Sequence, residues 1–105
     1  MISKESFEEY FFYPTDFCIV NFSFDSDFGT VFDFAIIYLH KEENNLLEIV
    51  RFDCSNKESF HMHQFYFSSK EEKRFIQKEL SFETIEWCLG ELREKWFKYK
   101  LAFDR

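Results

Sequence analysis

Toward the end of the chain the apolar residues fall into one regular series. Ile85, Leu89, Leu92, Trp96, Tyr99 and Phe103 are separated by four, three, four, three and four positions. That spacing draws a single stripe along an α-helix and predicts a helix over residues 81–103. Ser81 stands where an N-cap is needed, and Glu83 and Glu86 follow in the electropositive first turn. Lys98 and Lys100 lie near the opposite end, and Glu91–Lys95 and Glu94–Lys98 have the favourable i,i+4 order. Gly90 interrupts the series. It costs about 1 kcal/mol relative to alanine unless the helix approaches another element closely there.

Upstream the period changes from three or four to two. In residues 17–25 Cys18, Val20, Phe22 and Phe24 share one face, with Asn21, Ser23 and Asp25 on the other, the pattern of a half-buried strand. Residues 26–29, Ser-Asp-Phe-Gly, supply a turn. Residues 30–40 are rich in β-branched and aromatic side chains and predict a second strand. Residues 46–53 predict a third and residues 59–68 a fourth, each behind a short polar loop. At the N-terminus, residues 3–13 are expected to form a short helix, with Ser3 or the Ser6–Glu9 pair as cap and Pro14 as stop. Residues 69–80 are compatible with a charged loop holding a short strand or with a helical turn. Short connections cannot join parallel neighbours. The expected fold is therefore α+β, a four-stranded antiparallel meander with the C-terminal helix packed on its one apolar face.

Composition sharpens this picture. With 105 residues, 46% hydrophobic and 31% charged, the chain predicts a single domain with a real core. Two glycines and one proline leave no Gly-rich phosphate loop, and no nucleophile elbow or HExxH zinc motif occurs. No cofactor motif is read. The longest apolar run, residues 35–39, is far short of a membrane helix. Cys18, Cys54 and Cys88 have no CxxC spacing. Reduced thiols and no targeting segment predict a cytoplasmic protein.

The net charge is −7, and the excess of acid lies in residues 1–34, which carry seven acidic side chains against Lys4 alone. Such a field argues against nucleic acid as a partner. Aromatic side chains are in surplus: 17 phenylalanines, five tyrosines and two tryptophans exceed what one small core can cover. The expectation is exposed rings and, through them, a protein partner or a homodimer, with no membrane contact.

One group of residues could carry chemistry. His61 and His63 flank Met62, so on a strand both imidazoles project to one face. If the third and fourth predicted strands pair across the intervening loop, Asp53 stands by His61 and Arg51 by His63. Three readings stay open. The plainest is a cross-strand polar ladder on a solvated face. The second is an acid–base site, with Asp53 fixing a tautomer and Arg51 holding a phosphate or carboxylate. The third is a metal held by His61, His63 and Asp53, for which no fourth ligand is evident. Asp25 and Asp27 read as a solvated turn rather than a calcium loop, and Glu8–Glu9 and Glu42–Glu43 as wet surface. Trp87 lies off the main stripe, either flanking the core or as an exposed anchor.

An acidic residue ending a strand, an HxH strand, a charged spacer and a Ser-Phe-Glu-Thr-Ile-Glu helix follow in that order, as RFDCSNKESFHMHQF and then LSFETIEWCLGELREKW. This arrangement resembles the TumE-like proteins of prokaryotic toxin–antitoxin modules. The resemblance implies a small sheet-plus-helix protein held inert by a partner antitoxin, with Asp53, His61 and His63 as the matching positions. Residues 1–34 fall outside it. The expected function is thus a small interaction module, which the resemblance makes a toxin–antitoxin component. The alternatives are an RNA-directed or metal-dependent enzyme using His61 and His63, and an acidic inhibitor that mimics nucleic acid.

Overall fold

A computed structural model describes residues 1–55, 57–67 and 70–104. Six strands precede one helix: β1 (Ile2–Phe12), β2 (Asp16–Asp25), β3 (Val31–Glu42), β4 (Asn45–Ser55), β5 (His61–Phe65), β6 (Glu71–Phe75) and α1 (Phe82–Phe103). The strands form one antiparallel sheet in chain order, β1 to β6. The α+β class, the meander and the C-terminal helix are those expected from the pattern. The strand count is not, because the sheet has six strands rather than four.

Both additions are edge strands. Residues 3–13, expected as a short helix, are β1, paired with β2 from Ile2 opposite Asp25 to Phe12 opposite Asp16. A local capping signal is worth about 1 kcal/mol, and a full ladder of backbone hydrogen bonds overrides it. The ambiguous charged segment supplies β6, whose five residues are all exposed. No apolar face exists there for a period of two to reveal. The end of the expected fourth strand at position 68, and position 69, lie outside the described residues.

The register assigns the faces. Cys18, Val20, Phe34, Ile36, Tyr38, Val50, Phe52 and Met62 point toward α1 and form the core with Ile85, Cys88, Leu89, Leu92 and Phe103. Ser81 caps the helix by accepting from the Thr84 amide at 3.2 Å. Lys95 bridges Glu91 at 2.9 Å, and Arg93 reaches across to Glu9 of β1 with two 2.7 Å bonds. Trp96, on the predicted apolar stripe, is half-buried; it packs among Phe11, Phe12 and Tyr38 at the end of the sheet. Trp87 flanks the core against Phe52 and Phe60, with the Lys78 ammonium 4.8 Å above its ring. A Cβ added at Gly90 would meet nothing within 4 Å, so no close approach demands glycine there. Cys18, Cys54 and Cys88 are free and buried. The helix packs on β3 and β4 in the middle of one face; among the described residues no element packs on the other face of the sheet.

Candidate functional site

On that open face β4 and β5 pair with Arg51 opposite His63 and Asp53 opposite His61. This is the juxtaposition expected from the HxH spacing. β6 adds Phe75 opposite His61 and Lys73 opposite His63. The two imidazole centroids are 4.6 Å apart. His61 Nε2 lies 3.0 Å from Asp53 Oδ1, and His63 Nε2 lies 3.5 Å from Asp53 Oδ2. One ligand atom from each of Asp53, His61 and His63 falls within 4.8 Å of the others.

Arg51 is in register but is not free to act. Its Nε and Nη2 both contact Glu48 Oε1 at 2.7 Å, so the guanidinium is already paired with a carboxylate. An anion held by Arg51, as expected, would have to compete with Glu48 for it. Glu71, which was not anticipated, takes a place at the site instead: its carboxylate contacts His63 Nδ1. Nothing in the sequence pointed to Glu71, because the existence of β6 was itself unresolved.

The second nitrogens decide what the cluster can do. His61 Nδ1 is 2.8 Å from the Ser59 carbonyl oxygen, and a carbonyl can only accept. Nδ1 therefore carries the proton. In a neutral ring Nε2 is then a lone pair, and it faces a carboxylate oxygen, which also only accepts. His63 repeats the arrangement, with Glu71 at Nδ1 and Asp53 at Nε2. Each ring is flanked by acceptors on both sides. The cluster is completed by further protons, on the rings or on the carboxyls, or by a cation among the three groups.

Accessibility separates the readings. The His61 side chain is 3% exposed, that of His63 17% and that of Asp53 23%. A general base must reach its substrate; His61 is buried, which leaves His63 as the ring with access. A metal ligand has no such requirement. A cavity of about 550 Å³ between Cys54, Ser55, residues 57–60 and residues 75–78 does not include the three residues; the cluster opens directly onto the sheet face through Asp53 and His63.

The buried cysteines offer no alternative chemistry. Burial pushes the Cys18 thiol up to about 12, with Glu9 adding to the effect, and burial raises Cys88 and Cys54 as well. Thiolates, the reactive form, are thereby suppressed. No described helix is long and apolar enough to cross a membrane.

Neither a curated protein nor a solved structure matches the chain. A family model, "Domain of unknown function (DUF7718)", matches residues 3–105. That match spans β1 and α1 as well as the Asp53–His61–His63 hairpin, and the chain belongs to this family.

Proposed function

We propose that the protein is a metal-dependent enzyme whose Asp53, His61 and His63 hold one divalent transition-metal ion on the open sheet face. The observation that carries this reading is the meeting of three acceptors, Nε2 of each histidine and the Asp53 carboxylate, around one point. Ligands at zinc bond lengths of about 2.0–2.1 Å stand roughly 3.3 Å apart in a tetrahedron. The two nitrogen–oxygen separations, 3.0 Å to Oδ1 and 3.5 Å to Oδ2 of Asp53, lie near that value, and one ligand atom from each residue falls within 4.8 Å of the others. The outer contacts suit it too. The Ser59 carbonyl and the Glu71 carboxylate engage the Nδ1 atoms, as outer partners of metal-bound histidines do, fixing tautomer and ring orientation.

Three protein ligands leave a position open, the hallmark of a catalytic rather than a structural zinc site. A divalent ion held by Asp53, His61 and His63 would supply Lewis-acid activation of water at that open position. The partial exposure of Asp53 and His63 gives that position its access.

The test is calorimetric titration of chelator-treated protein with Zn²⁺. One equivalent is expected to bind, with binding lost in Asp53→Ala and His63→Ala. Glu71→Gln, which touches only the outer contact, is expected to weaken binding by about 10–100-fold. Absence of binding, or binding unchanged in Asp53→Ala, would overturn the reading.

A second reading rests on a different observation. Phe12, Phe28, Phe67, Phe75 and Phe97 each have more than half of their surface exposed, a supply of anchors for an interaction module that pairs with a protein partner or its own copy. The resemblance to TumE-like toxin–antitoxin proteins supports the same reading, and free buried thiols support a cytoplasmic setting. Light scattering at tens of micromolar tests it: a mass well above 13 kDa supports association, and 13 kDa counts against it.

A further inference from the structure

A second histidine cluster lies on the opposite, helix-covered face, near the C-terminal end of α1. Asp16 of β2 stands opposite His40 of β3, and Cys18 opposite Tyr38, which brings Asp16, Tyr38 and His40 to one face. Asp16 is buried. Its Oδ2 accepts from the Tyr38 hydroxyl at 2.6 Å and from His40 Nδ1 at 2.9 Å, while Oδ1 accepts from the Thr15 hydroxyl at 2.7 Å. A carboxylate with three donors is fully provided for. With its Nδ1–H donated to Asp16, a neutral His40 ring keeps a lone pair on Nε2, for which no partner is seen among the described residues.

His40 and Asp16 line a cavity of about 340 Å³, whose remaining walls are chiefly Phe12, Trp96, Phe97 and Leu101. Lys100 also borders it, but its ammonium is held by Asp104 at 2.6 and 2.8 Å. The lysine is therefore not available to an anion. Ligand pockets run from about 300 to 1,000 Å³, so this one suits a single ring. Its apolar walls are aromatic and aliphatic; its polar rim, Thr15, Asp16, Lys100 and Asp104, is paired internally, which leaves His40 Nε2, an acceptor in the neutral ring, without a partner.

We infer that this cavity is a binding site for a small neutral aromatic compound bearing one hydroxyl donor, a phenol, whose O–H pairs with His40 Nε2 while its ring packs against Trp96, Phe97 and Leu101. The polarity of the site dictates the class. A carboxylate or phosphate would find no free cation there. A plain hydrocarbon would leave the imidazole nitrogen unpaired, a cost that a donor on the ring removes. The site lies on the other face of the sheet from Asp53, His61 and His63 and is independent of any metal.

Phenol and anisole distinguish the possibilities, since the methyl ether has nearly the same shape and no donor. Binding is followed in ¹H–¹⁵N spectra of the full-length protein. Phenol is expected to shift His40, Trp96 and Leu101 signals and to bind roughly tenfold more tightly than anisole. His40→Phe is expected to erase that preference, and Leu101→Trp, at an exposed wall position, to block both compounds. Equal binding of phenol and anisole to the wild type would overturn the inference even if His40→Phe failed to fold. Absence of binding would overturn it too, as would shifts centred on Trp87 or shifts that track protein concentration, which would mark a second copy of the chain as the occupant.

Discussion

The sheet carries an aspartate–histidine cluster on each face, and the two are supplied with protons in opposite ways. On the helix-covered face Asp16 receives three donors, and its one imidazole has a nitrogen to spare. On the open face Asp53 meets two imidazoles whose far nitrogens already face the Ser59 carbonyl and the Glu71 carboxylate. The same residue types thus make a closed network in one place and an unfinished one in the other. Identity and proximity do not separate them. Counting protons does: it leaves the open-face site to be completed by added protons or by the proposed cation, and the covered site with one imidazole nitrogen to spare.

The largest effect should come from the closed network. Asp16→Ala leaves the buried Tyr38 hydroxyl and His40 without their acceptor and is expected to destabilise the fold by about 3–5 kcal/mol, measured by denaturant unfolding. Acid sharpens this. Burial pushes the Asp16 carboxyl up, but donation from Tyr38, Thr15 and His40 outweighs it and holds the group below its ordinary value of 3.8. A depressed folded value means stability that is complete above the unfolded value and lost as pH falls through the folded one. Wild type should therefore lose stability below about pH 4 more steeply than Asp16→Asn. A parallel pair of curves would contradict the closed network.

The open-face cluster should answer to metal instead. At a free Zn²⁺ concentration a hundred times the dissociation constant, wild type should gain about 2.7 kcal/mol, and Asp53→Ala should gain nothing. Thermal unfolding with and without Zn²⁺ reads both. Gly90→Ala lies away from both clusters, and a new Cβ there meets nothing. It should stabilise the helix by about 1 kcal/mol; a loss would mean that α1 packs more closely than the structure shows. Smallest of all should be Asp53→Ala without metal, within about 1 kcal/mol, since that cluster contributes little until the cation is present. A cost near that of Asp16→Ala would erase the distinction between the two faces.

The open-face cluster was legible because its information is local. His61 and His63 are two residues apart, and one hairpin brings Asp53 to them. The burial of His61 was not legible: Phe75, which stands opposite it, comes from β6, a strand with no buried residue to mark it. Asp16, Tyr38 and His40 were missed for a related reason. They are 22 and 24 positions apart, and only the β2–β3 register joins them. The helix stripe was read nearly end to end, because 22 residues of period 3.6 average out single exceptions such as Gly90. β1 was misread because Ser3, Ser6 and Glu9 supply capping signals that matter only if no neighbour offers a ladder.

The most direct test of the metal centre follows the ring nitrogens themselves. Long-range ¹H–¹⁵N spectra report the state of Nδ1 and Nε2 separately for each histidine. On addition of one equivalent of Zn²⁺ to metal-free protein, the metal reading predicts that Nε2 of His61 and His63 moves to the metal-bound range while Nδ1 of His61 stays protonated and His40 does not change. Imidazolium spectra for both rings, unaffected by Zn²⁺, would contradict it and leave the cluster as a protonated polar ladder.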